Sequence, residues 1–210
     1  MSSIAAQLKA RRLLIGATCV FGFFIGWSLL SNPTGFFAVF KSRDGHWGTP
    51  TAWLLAAAIV VAYVGSAAAV STIRHHLVRW SPLKAWSISA AVGAGILEEV
   101  ITRKWVMDYL EGNAHNAVTQ ILMSALAFGL AHVIWGAGNL KAGVNAVIST
   151  ACLGAGLAVV YLLGERSLAP CVVAHFLITA LIEPGLLLAA MDDELGYLNE
   201  QPGKERHDGT

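Results

Sequence analysis

Long apolar runs decide what this chain can fold into. A membrane-spanning helix needs about 20 mostly apolar residues. Six runs approach that length, at about 13–31, 52–72, 84–110, 116–135, 143–163 and 168–190. They are too long for strands, and barrel strands would alternate apolar with polar residues. They are rich in Ala, Gly and Ser, which let membrane helices approach closely. Asn32-Pro33 ends the first run, and TGFFAVF (34–40) after it is too short to span and is expected at the interface. Composition gives the same answer. Hydrophobic residues make up 56% of the 210 residues and charged residues 13%, about half the charge of a soluble domain. The expected fold is an all-α, polytopic helical bundle of about six transmembrane helices.

The first run is longer than the h-region of a cleaved signal peptide, and no small-x-small cleavage site follows it. It is therefore read as a retained helix. Net charge is +1 with no basic block, so nothing points to nucleic acid as a partner. Lys9, Arg11 and Arg12 precede the first run, Lys41 and Arg43 follow it, and Arg74, Arg79 and Lys84 lie between the second and third. This bias predicts a cytoplasmic N-terminus in the cell (inner or plasma) membrane, although Arg103 and Lys104 oppose it. Cys19, Cys152 and Cys171 lie within apolar stretches without metal-ligand spacing and are read as small packing residues. Trp47, Trp53, Trp80, Trp86, Trp105 and Trp135 stand near run ends, as an aromatic belt would. His46, His75, His76, His115 and His207 fall in presumed loops or the tail and are read as solvated or interfacial.

Ionisable residues inside a bilayer cost about 2.5–3.5 kcal/mol each on insertion scales and by default mark function. The runs hold Glu98, Glu99, Arg103, His132, His175 and Glu183. Glu99 and Arg103 are spaced i, i+4 with the acid first, the favourable order for an ion pair. Glu98 points about 100° away on a helix and is the carboxylate left for chemistry. Phe128 and His132 are one turn apart in FGLAH. His175, Thr179 and Glu183 make a polar stripe on the last run. One glutamate and two histidines from three helices would suit the polarisation of a water. Each residue also has a plainer reading. His132 could hydrogen-bond a backbone carbonyl, Glu99–Arg103 could be a staple, Thr179 could bond back to carbonyl 175, and Glu183 could mark a kink before Pro184.

EEVITR (98–103), FGLAH (128–132) and AHFLIT (174–179) resemble, in order and spacing, the EExxxR, FxxxH and HxxxN-like motifs of the CPBP family of intramembrane proteases. That family includes the type II CAAX prenyl proteases and the Abi-type immunity-associated proteins. GERSLAPCVVAHF also resembles the family's approach to its last histidine. The resemblance implies a core with four catalytic helices over residues 84–190, preceded by N-terminal helices in 1–83 and followed by a polar tail at 191–210. It implies an endopeptidase in which Glu98, assisted by His132, activates water. Glu99 and Arg103 would orient that carboxylate, His175 would stabilise the oxyanion, and Phe128 would pack beside His132. The substrate would be a membrane protein or peptide, such as a CAAX tail or a leader or immunity peptide. No cofactor is expected. Two histidines and a glutamate are also adequate zinc ligands, but no HExxH helix is present, and zinc remains the second enzymatic reading. Outside enzymes, a binding or immunity protein or a proton-coupled transporter stays open. The sequence departs from the motif at Thr179, where the family has Asn. Threonine keeps one hydroxyl donor and lacks the amide's two, so oxyanion support would fall to Thr179, Glu183 or a water.

Overall fold

The computed structural model of the protein describes residues 4–133 and 140–191. Trp135, the end of the expected fourth run, His207 and most of the expected tail lie outside the described residues. Among the described residues ten α-helices follow one another, α1 (Ile4–Ser31), α2 (Pro33–Ala38), α3 (Pro50–Ala67), α4 (Ser71–His76), α5 (Pro82–Glu99), α6 (Val106–Gly112), α7 (Ala117–Ala131), α8 (Leu140–Leu163), α9 (Ala169–Ile182) and α10 (Gly185–Met191). No strand occurs among the described residues. A π-helical turn over Val100–Trp105 joins α5 to α6, making one 31-residue span from Pro82 to Gly112.

Local sequence sets the helix starts. Asn32-Pro33, Thr49-Pro50 and Ser81-Pro82 each put a capping side chain ahead of a proline at the first helical position. The cap oxygen accepts an otherwise orphaned N–H, and proline there loses a donor the helix does not use. Asn116 caps α7 in the same way, accepting from Thr119 N at 2.9 Å.

Helices α1, α3, α5–α6 and α8 are long and apolar enough to cross a membrane, and α9 with α10 forms a further apolar pair bent by 55°. The expected fourth run is shorter than anticipated. Its helix α7 has 15 residues, about 22 Å at 1.5 Å per residue, against a hydrocarbon core of about 30 Å. The first helix begins nine residues earlier than its apolar run, at Ile4 rather than 13. The second ends at Ala67, and His75 and His76 belong to the separate short helix α4 rather than to a loop.

Two apolar clusters hold the bundle. One joins α3, α8 and α9 through Ala56, Leu157, Tyr161 and Ile178, and reaches Phe128 of α7. The other packs Ala6, Ala10 and Leu14 of α1 on Ala90 of α5 and Leu187 and Leu188 of α10. Trp86 packs against this second cluster instead of standing in an outer belt, whereas Trp47, Trp80 and Trp105 are exposed. Glycine permits two close helix contacts beside the site. A Cβ on Gly129 would stand 2.8 Å from Val147 O of α8, and one on Gly95 would stand 3.2 Å from Phe176 N of α9. Of the cysteines, Cys171 is buried as expected, while Cys19 and Cys152 are exposed and do not pack inside. Phe23, Phe24 and Trp27 line the outer face of α1, the surface a lipid would cover.

Lys84 corrects the loop-charge reading. It lies inside α5 and is buried. Its ammonium donates to Leu181 O and Glu183 O, the carbonyls left without helical partners where α9 breaks. Lysine commonly caps helix C-terminal carbonyls in this way.

Candidate active site

The three motif-bearing helices meet about halfway along the Pro82–Gly112 span. Glu98 and Glu99 close α5, Arg103 lies in the π turn, Phe128 and His132 end α7, and His175 stands in α9. The adjacent glutamates diverge as helix geometry requires. Glu99 is fully buried and Glu98 partly exposed.

Glu99 Oε2 lies 3.0 Å from Arg103 Nε, with neither side chain exposed. The π turn does not prevent this i, i+4 contact. Arg103 Nη1 donates to Ser124 Oγ of α7 at 2.7 Å, and Ser124 Oγ donates to Thr102 O at 2.8 Å. The guanidinium also sits 5.1 Å from the Phe128 ring centroid, within cation–π range. A buried charge needs a partner, and α5 and α7 supply the partners of Arg103.

The other oxygen of Glu99 reaches the last histidine. Oε1 accepts from His175 Nδ1 at 2.9 Å. Glu99 therefore orients the last histidine, with no contact to the neighbouring Glu98 carboxylate among the described interactions. His132 Nδ1 donates to Phe128 O at 2.8 Å. The plainer reading of His132 thus holds for one ring nitrogen and leaves the other free for chemistry. With both Nδ1 atoms committed, both rings present Nε2 to the same place. Glu98 Oε2 lies 3.8 Å from His132 Nε2 and 3.8 Å from His175 Nε2, too far for direct hydrogen bonds and short enough for one small bridging group. Phe128 sets the spacing, with its ring 4.9 Å from His132 and 5.3 Å from His175, centroid to centroid.

A cavity of about 540 Å³ opens on this trio. Leu14, Ala17 and Phe21 of α1 and Ala90 and Ala94 of α5 make one apolar wall, and Thr179 lies on the α9 side. The Thr179 hydroxyl makes no hydrogen bond to carbonyl 175 among the described interactions. Glu183 lies at the far end, two helical turns from His175, and its carboxylate accepts from Leu187 N at 3.2 Å. Its position at the α9–α10 bend matches the kink reading and separates it from the Glu98 trio.

Sequence reasoning missed Ser124. It stands one turn before Phe128 and two before His132, so a polar stripe on α7 was its signal. It also gave no role to Arg166, in the turn before α9. Glu165 and Arg166 there adopt positive φ of 54° and 63°, strained for residues with a Cβ. Arg166 binds Asp108 at 2.6 Å, Gln120 at 2.7 Å and Glu111 at 2.9 Å, and Tyr161 donates to Asp108 at 2.9 Å. This network ties α6, α7 and α8 to the entry of the helix that carries His175. Among the described residues, the His and carboxylate donor atoms that all lie within 4.8 Å of one another belong to Asp44, His46 and Glu165, and none of these is in the cavity.

Residues 80–181 match the model of a protein family described as type II CAAX prenyl endopeptidase Rce1-like. No curated protein and no solved structure matches the chain significantly.

Proposed function

From an integral membrane protein that belongs, through residues 80–181, to the type II CAAX prenyl endopeptidase family, we propose a glutamate-dependent intramembrane endopeptidase in which Glu98 activates water. The observation that carries this reading is the equal 3.8 Å approach of both Nε2 atoms to Glu98 Oε2. A water between these groups has two protons and would meet three acceptors if both imidazoles were neutral. One of the three must therefore donate. His175 is that donor, because the Glu99 carboxylate behind its Nδ1 stabilises the imidazolium.

The reaction then runs as follows. The water donates to Glu98 and to His132 Nε2. Glu98 takes a proton as the oxygen attacks the scissile carbonyl carbon. His175 Nε2–H points at the developing oxyanion, where a pre-aimed donor contributes most. Collapse of the tetrahedral intermediate breaks the C–N bond, and protonated Glu98 returns its proton to the departing amine. Glu99, Arg103 and Ser124 position His175. Thr179 offers its hydroxyl from the next turn of α9.

The apolar wall beside Glu98 suits a substrate segment that is itself apolar, such as a lipid-modified C-terminal tail or a membrane-embedded peptide. The basic residues of the N-terminus and of the α4–α5 connection adjoin at one end of the bundle, and that end is assigned to the cytoplasm.

The test compares membranes or liposomes holding wild-type protein with those holding Glu98→Gln at matched abundance, and reads new peptide termini by mass spectrometry. Termini present only with wild type support the reading. Identical termini across a panel of prenylated and transmembrane substrates would replace it with a binding or immunity role.

A further inference from the structure

A second cavity, of about 410 Å³, lies at the N-terminal end of α1, and none of the proposed catalytic residues lines it. Ile4, Leu8 and Arg11 of α1 line it, on one stripe at helical spacing. His75 and His76 of α4 and Arg79 of the following turn complete its polar side. No carboxylate lines it among the described residues. Burial first, and then the nearby His75, Arg79 and Lys84, push the pKa of His76 below its usual value. Arg79 is hydrogen-bonded to His75, so its guanidinium is held at the cavity and still carries its full charge.

The apolar half is equally defined. Ile4 is 80% exposed and Leu8 51%, one to two turns before Arg11 on the cavity rim. The charge-free run of α1 begins two residues after Arg11, at Leu13, and Trp80 beside Arg79 is exposed. Both features place the cavity at the level of lipid headgroups.

We infer that this cavity binds a phosphate-bearing anion with an attached hydrocarbon, the headgroup of an anionic phospholipid. The phosphate sits between Arg11 and Arg79, where a guanidinium can bond phosphate with two N–H groups, and the His76 ring lies beside it. The acyl chain runs from Arg11 past Leu13, into the charge-free run of α1. Because α1 also walls the catalytic cavity, the bound lipid holds in register the helix against which substrate lies.

The full chain in detergent is titrated with fluorescent dioctanoyl phosphatidylglycerol, dioctanoyl phosphatidylcholine and inorganic phosphate. One saturable phosphatidylglycerol site is expected, with phosphatidylcholine at least about tenfold weaker and phosphate displacing it only at far higher concentration. Each basic residue near an anionic surface is worth about fivefold, so Arg11→Gln with Arg79→Gln should weaken phosphatidylglycerol binding by at least about tenfold. Lys9→Gln with Arg12→Gln, on the other faces of α1, should change it less than twofold. Both double variants are checked for unchanged thermal unfolding, and single Arg11→Gln and Arg79→Gln variants keep the test valid if the first pair is unstable. Equal loss in both pairs would show diffuse surface attraction and overturn the site. Displacement by phosphate as effective as by lipid would make it a free-phosphate site and overturn the lipid assignment, as would equal binding of the two lipids.

Discussion

Glu98 and Glu99 are neighbours in sequence with opposite physical roles, so the same substitution at each should fail differently. Glu99 is fully buried, 3.0 Å from Arg103 and 2.9 Å from His175 Nδ1. Removing one partner of a buried ion pair costs about 3–5 kcal/mol because the other charge is stranded. Glutamine keeps a carbonyl acceptor, so Glu99→Gln should lie near the lower end, about 3 kcal/mol. At about 2–4 °C per kcal/mol for a chain of this size, the midpoint should fall by roughly 6–12 °C. Glu98 makes no direct hydrogen bond through Oε2, and Glu98→Gln should change stability by less than about 1 kcal/mol. Its activity should fall by about 10²–10⁴, the usual contribution of a general base. Glu99→Gln should also lose about 100-fold, through misaiming of His175. Thermal unfolding in one detergent, paired with single-turnover cleavage of a peptide identified by its termini, reads both effects. Equal destabilisation by the two variants would refute the division of roles. So would an Glu99→Gln protein with wild-type midpoint and rate.

Gly129→Ala should push α7 from α8, because its Cβ would meet Val147 O at 2.8 Å and Ala151 Cβ at 2.9 Å; a loss of about 1–3 kcal/mol in the unfolding midpoint, with lower kcat, is expected. Thr179→Asn restores two amide donors beside His175 and should preserve or raise kcat, and a clear fall in rate at unchanged stability would count against Thr179 as oxyanion support. A strong chelator should leave cleavage unchanged, whereas loss restored by added zinc would favour the metalloprotease reading of Glu98, His132 and His175. Arg166→Ala leaves Asp108 with Tyr161 and Lys104 and Glu111 with Arg43 but takes the Oε1 partner from buried Gln120, and should lower the midpoint by about 1–3 kcal/mol, with catalysis falling because the entry to α9 loosens.

Much of the site was legible because membrane burial makes polar residues expensive. Glu98, Glu99, Arg103, His132 and His175 stood out against apolar surroundings, and helical spacing separated the two glutamates. Phe128 beside His132 followed from the same one-turn rule. Ser124 and Arg166 were harder to read, since a serine is ordinary in a membrane helix and an arginine in a loop is ordinary anywhere. Lys84 looked like a loop charge because hydropathy cannot tell a helix end facing water from one buried against another helix.

Local sequence was enough for the helical membrane architecture, for most helix starts and for picking out the ionisable residues inside the apolar runs. These depend on local quantities: apolar run length, a capping side chain before proline, and the 3.6-residue period. Packing between helices sets the contact of Glu99 with His175, the place of Glu183 at a bend, and the convergence of both Nε2 atoms on one carboxylate oxygen. Those outcomes depend on how α5, α7 and α9 pack at Gly95 and Gly129, and a distance between helices is set by contacts that no single segment contains.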